Sequence, residues 1–219
     1  MAYGLRPVSH GGYLYNTGGN EAFPIFGDVS DATNAIGVGD VVSLVAGGGV
    51  GLQGTTPSAW NIKVEGVDAD VYAPGVQILG VFMGCEYTDT NSQPTWSQYY
   101  PGSANTKDGS DRTGYVVTDP NAVFQISSGS GTPAAWANTY IGQVYDLANL
   151  SSADSTTGLS GITIAALGTP SAYTTVGGAV RVVGVVKNGK NETSSVTTPD
   201  VLVRWADPSV LHYGYGAIV

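Results

Sequence analysis

The chain has 219 residues, enough for one large domain or two smaller ones with a buried core. Charged residues make up 11%, against about 25% in an average soluble domain, so Ser, Thr, Asn and Gly must solvate much of the surface. A net charge of −9, with only eight Lys and Arg scattered along the chain, argues against general nucleic-acid binding, which needs clustered cations to displace phosphate counterions.

The 32 Gly and 11 Pro leave few stretches of a dozen residues uninterrupted, which argues against long helices. The expected fold class is all-β: a β-sandwich or β-barrel body with an extended N-terminal arm and a C-terminal tail. The first residues, Met1-Ala2-Tyr3-Gly4-Leu5-Arg6-Pro7, show no basic run followed by an apolar stretch, so no secretion signal is expected. No apolar run reaches membrane-spanning length, and no membrane partner is expected.

Residues 1–35 carry Tyr3, Leu5, Tyr13, Tyr15, Phe23, Ile25 and Phe26 among glycines, without a helical or alternating period. They read as an extended arm whose aromatics dock on the chain's own body, a sister subunit or a partner. Residues 36–210 form the β-rich body. It opens with a strand over 40–46, closed by Gly47-Gly48-Gly49. The run 76–85, bounded by Pro74-Gly75 and rich in branched residues, is a buried strand with Cys85 as a small core residue. A lone cysteine forms no intramolecular disulfide.

Residues 86–113, polar and aromatic, read as a long loop excursion bearing Trp96, Tyr99 and Tyr100. Further strands are expected at 115–117 and 122–126, flanking the turn Asp119-Pro120-Asn121, and at 141–147, 161–165, 180–186 and 200–205. In the last, Val201, Val203 and Trp205 share one face, Leu202 and Arg204 the other. Residues 211–219 end the chain on aromatic and branched side chains, including Tyr213 and Tyr215, and read as a tail pinned at an interface.

Chemical motifs are weak. Gly49-Val50-Gly51-Leu52-Gln53-Gly54 fits a dinucleotide pattern, but Thr55-Thr56-Pro57-Ser58 follows where a helix must begin, so a surface loop is the better reading. Gly184 to Lys190 resembles the start of a phosphate-binding loop, yet Asn191 replaces the required Ser or Thr; Lys187-Asn188-Gly189-Lys190 reads as a hairpin tip. His10 and His212, the only histidines, fall in the arm and tail, where a Ser-His-Asp site would lack rigid support. Asp28 with Asp31, or Asp108 with Asp111, could help hold calcium, but neither pair has a full ligand spacing. No catalytic residue, cofactor or metal is therefore assigned. Trp60, Trp96, Trp136 and Trp205, with 13 tyrosines, could instead build a sugar-stacking platform or a protein interface.

Gly4-Leu5-Arg6-Pro7-Val8, the segment 39–45, the stretch 79–89 leading to Trp96-Ser97-Gln98-Tyr99-Tyr100-Pro101-Gly102, and Tyr115-Val116-Val117-Thr118-Asp119-Pro120 resemble strings in the cement (decoration) proteins of tailed phages, including cyanophages. The resemblance implies a non-enzymatic virion protein on the outer capsid surface, commonly a homotrimer, which clamps adjacent subunits of the major capsid protein. The residues expected at interfaces, chosen for their apolar content, are Tyr3, Leu5, Tyr13, Tyr15, Phe23, Phe26, Trp96, Tyr99, Tyr100, Tyr213 and Tyr215. The competing readings are a glycan-binding fibre or adhesin module and a polysaccharide-degrading enzyme, which would need two carboxylates across a cleft.

Overall fold

The computed structural model describes residues 3–10, 20–25, 35–44, 50–52, 78–102, 105–107, 111–129, 136–149, 153–168, 170, 179–186 and 198–206. Its strands are β1 (Arg6–His10), β2 (Glu21–Pro24), β3 (Ile36–Gly37), β4 (Val41–Leu44), β5 (Val50–Leu52), β6 (Ile78–Thr88), β7 (Pro94–Ser97), β8 (Tyr99–Tyr100), β9 (Thr113–Val117), β10 (Ala122–Ser127), β11 (Val144–Tyr145), β12 (Leu147–Ala148), β13 (Thr163–Ile164), β14 (Val180–Val185) and β15 (Asp200–Trp205). A short 3-10 turn spans Asn138–Tyr140. Among the described residues no helix is long and apolar enough to cross a membrane.

The fold is all-β. A five-stranded antiparallel sheet runs β1-β10-β15-β14-β11, and a six-stranded sheet runs β2-β9-β6-β4-β5, with β7 added on β6. Two small pairs, β12-β13 and β3-β8, complete it. The two large sheets are the layers of a β-sandwich. Between them lie Val41, Val81 and Val117 from one sheet and Phe124, Val182, Val203 and Trp205 from the other. Phe124 meets Trp205 edge-on at 5.5 Å between centroids. Each such side chain, fully buried, contributes about 1.5–3 kcal/mol.

The six-stranded sheet is covered on both faces. Along its strands the residues alternate: Val41, Val81 and Val117 enter the core between the sheets, whereas Val42, Phe82 and Val116 enter a second cluster with Ile25, Ile36, Leu79, Cys85 and Tyr100. This explains why the run 76–85 shows no polar alternation.

Several expectations are corrected. The N-terminal segment is not wholly an arm: β1 is an edge strand on β10, β2 an edge strand on β9, and Leu5 is entirely buried in the main core. Residues 86–113 are not one loop. β6 continues to Thr88, turns, and pairs with β7, while β8 pairs with β3. The Asp119-Pro120-Asn121 turn exists, with the Asp119 carboxylate accepting the Asn121 N–H at 2.8 Å, but the strands it joins do not pair. It carries the chain from one sheet to the other, because β9 and β10 belong to different layers. The 141–147 strand is two short ones, β11 and β12, in different sheets. Val50–Leu52 is strand paired to β4, not loop.

One corner ties four segments together. Leu5 N–H donates to Gly39 O at 3.0 Å, Gly39 N–H to Phe82 O at 2.9 Å, and Phe82 N–H to Asp40 O at 2.8 Å. From the other side, Val38 N–H donates to Gly158 O and Ser160 N–H to Val38 O, both at 3.0 Å. Gly39 sits at φ +91°, and a Cβ there would lie 2.7 Å from Tyr3 O, so only glycine fits.

Candidate protein-binding surface

β6 has 11 residues and outruns its neighbours. β9 covers one of its edges at Val81–Glu86; along the other edge, β4 pairs with Ile78–Val81 and β7 with Cys85–Thr88. At the β7 end the sheet projects beyond the main core. There Cys85 and Tyr87 still face the second cluster, but the opposite face, which carries Glu86, Trp96, Thr113 and Tyr115, lies in register on adjacent strands and holds no buried residue other than Gly84.

Trp96 dominates that face. It is 61% exposed, the most of any large hydrophobic among the described residues. It lies directly opposite Glu86, just beyond a register shift between Phe82 and Gly84 in the β6–β9 pair. Gly84, at φ +147°, lies under the indole, with a notional Cβ 3.6 Å from Cζ2 and 3.1 Å from Ser97 O. Any side chain at 84 would be strained at this φ and would crowd Ser97 O.

The hairpin holding Trp96 is tightly closed. The Asp89 carboxylate accepts the N–H groups of Asn91 (2.9 Å) and Gln93 (2.8 Å), and Asp89 N–H donates to Gln93 O at 2.9 Å. Beside the indole, the Tyr115 hydroxyl hydrogen-bonds to the Glu86 carboxylate, which raises the phenol's pKa above its ordinary value because ionisation would set two negative charges together. An exposed tryptophan on a braced hairpin, flanked by one carboxylate and one hydroxyl, provides flat apolar area with a polar rim.

The residues expected at interfaces do not gather there. Tyr100 is buried in the second cluster, edge-on to Tyr87 at 6.2 Å, and burial raises its pKa. Leu5 is likewise spent on the chain's own core, so neither has surface left for a partner. Tyr99 is half-buried against Gly158, and Phe23 packs partly on the second cluster. Tyr3 is half-buried under the Arg6 guanidinium, 4.7 Å from the ring centre, and its hydroxyl accepts from Gln125 Nε2 at 2.9 Å. Tyr13, Tyr15, Phe26, Tyr213 and Tyr215 lie outside the described residues, as do His212, Trp60, Asp28, Asp31, Asp108 and the Lys187–Lys190 tip.

Trp136 packs partly on the main core, edge-on to Tyr140 at 6.1 Å, and Trp205 is a core residue. His10 ends β1 opposite Ala122. Burial pushes the Cys85 thiol up to about 12, with Glu86 adding to the effect, so it is an unreactive core group. Among the described residues no three His, Cys, Asp or Glu side chains are grouped to hold a metal ion.

Comparison with protein-family models, curated proteins and solved structures finds no match.

Sequence reasoning missed Glu86 and Tyr115. The signal was available only as geometry: Glu86 lies opposite both Trp96 and Thr113, and its register against Thr113 follows from the bulge at Met83.

Proposed function

We propose that this chain is a non-enzymatic structural protein of a phage virion, seated on the outer capsid surface and stabilising it by clamping adjacent subunits of the major capsid protein. The observation that carries the reading is Trp96, held 61% exposed on a rigid, weakly charged sheet end. Such a side chain costs little entropy on docking and removes a large apolar area from water. The low charge content supports it as well, since few ions need to be stripped of water at such a seam. The resemblance of the strand strings to tailed-phage cement proteins supplies the capsid as partner and the homotrimer as assembly. Neither nucleic acid nor membrane has a part in it.

The clamping surface differs from the one expected at first. Residues 3–10 and 20–25 belong to the chain's own sheets, so the partner contact is assigned to the β6–β7 end instead. The test is cosedimentation of purified protein with expanded capsids that lack it. Saturable binding that weakens in Trp96→Ala supports the reading; no binding by the folded wild type overturns it.

A glycan-binding module draws on the same residues, because an exposed indole beside the Glu86 carboxylate also suits a sugar ring. Saturable shifts of the Trp96 indole resonance by an oligosaccharide, with no capsid binding, would favour that second reading.

A further inference from the structure

The outward face of the five-stranded sheet carries a concentration of positive charge that the proposed capsid contact does not use. Arg181 on β14 and Arg204 on β15 are direct cross-strand partners, both exposed. Arg6 on β1 lies in the same sheet, opposite Gln125, which is opposite Leu202. With strands about 4.8 Å apart, it stands about 10 Å away across the sheet from β15. These three are among only eight Lys and Arg in a chain of net charge −9.

Like charges set directly opposite each other weaken a strand pair. Here no carboxylate among the described residues pairs with Arg181 or Arg204. Asp200, on the same face of β15 as Arg204, accepts from Gln125 Nε2 at 3.1 Å and is hydrogen-bonded to Tyr3. Around the arginines the face is aliphatic: Val183 is 38% exposed and Val8 48% exposed, and each sits at a register shift of its strand. Leu202 is half-buried between them. Arginine mixed with aliphatic side chains is the composition of a protein–protein contact.

We infer that the Arg181–Arg204 face docks on the carboxylate-bearing surface of a second copy of this chain. Charge complementarity selects that occupant. Setting aside the three arginines leaves five Lys and Arg to balance 17 Asp and Glu, so the remainder of every copy is strongly acidic. Paired guanidinium forks take carboxylates bidentately, and Val183 and Val8 lose water in the same contact. A face of one kind meeting a face of another is a heterologous contact, which closes into a ring when the rotation allows.

This rests on the homotrimer of the proposed function, to which it gives an interface, and it is tested on the protein alone, so that its failure leaves the Trp96 capsid test standing. Sedimentation velocity across a concentration series measures self-association of the wild type, Arg181→Glu, and the Arg181→Glu/Arg204→Glu pair. The expected result is wild-type self-association that weakens when NaCl is raised from about 0.1 M to about 0.5 M, and a dissociation constant at least tenfold higher in the double variant. Arg181→Glu alone places opposite charges across the β14–β15 pair, so its Tm should rise while its self-association falls; a purely structural role for Arg181 would not give both. A wild type that stays monomeric, or a double variant that associates as tightly as wild type, overturns the inference. Undiminished self-association together with lost capsid binding also overturns it, and assigns the face to the capsid.

Discussion

The Asp40 carboxylate accepts the Gly37 N–H at 2.7 Å through Oδ2, while its buried Oδ1 has no hydrogen-bond partner. Burial raises the pKa from an ordinary 3.8 to about 6, partly offset by hydrogen bonds from Ser160 and Gly37, and no charged neighbour contributes. Folding thus favours the protonated acid. Its contribution is fully present below the ordinary 3.8 and is lost as pH rises through about 6. A difference of this size corresponds to about 3 kcal/mol across the window. Tm measured by circular dichroism should therefore fall between about pH 4 and about pH 6.5, and Asp40→Asn should flatten that fall. An equal slope in the variant would remove Asp40 as the cause.

Trp96→Ala should leave the fold almost untouched, within about 0.5 kcal/mol, because the indole is mostly in water. Loss of partner affinity should be far larger, about 2 kcal/mol or more, if the ring is a central anchor. Chemical denaturation and capsid cosedimentation on the same preparation separate the two quantities.

Leu5 is fully buried, and Leu5→Ala should cost about 2–5 kcal/mol. Removing residues 1–30 takes away Leu5, β1 and β2 together, so that truncation should unfold the body instead of yielding a body without its arm. Urea titration of the point variant and the circular dichroism spectrum of the truncation read these outcomes. A cooperative, stable truncated body would contradict the placement of β1.

Cys85 should resist thiol reagents at pH 8 in the native protein and react fully in denaturant, because its thiol is buried with a pKa pushed up to about 12. Rapid native labelling would mean that β6 opens locally far more often than its double-faced burial allows.

Strands with a strong pattern were legible in the sequence. Asp200–Trp205 alternates buried and open residues as its spelling suggests, and Ala122–Ser127 and Val180–Val185 stand out by their branched residues. Three of the strands that escaped notice share a different character. Pro7, Pro24 and Pro94 each lie in a strand at a sheet edge, where the missing N–H removes no ladder bond that the sheet needs. Local reading treats such proline-bearing segments as loops, yet a neighbour's free edge recruits them. The surface residues were hidden for a related reason: Trp96 could be suspected from its type, but its separation from Tyr100, its pairing with Glu86, and the Arg181–Arg204 juxtaposition all depend on long-range register.

Tyr3 and Gln125 meet across 122 positions of the chain. During synthesis the leading strand has no berth until more than half of the polypeptide has left the ribosome, and Leu5 remains bare meanwhile. The last strand matters most, because β15 lies between β10 and β14 and pairs with both. A nascent chain stalled before residue 200 therefore presents two unfilled ladders at once, and production of this protein should depend on prompt completion of translation or on a chaperone that shields those edges.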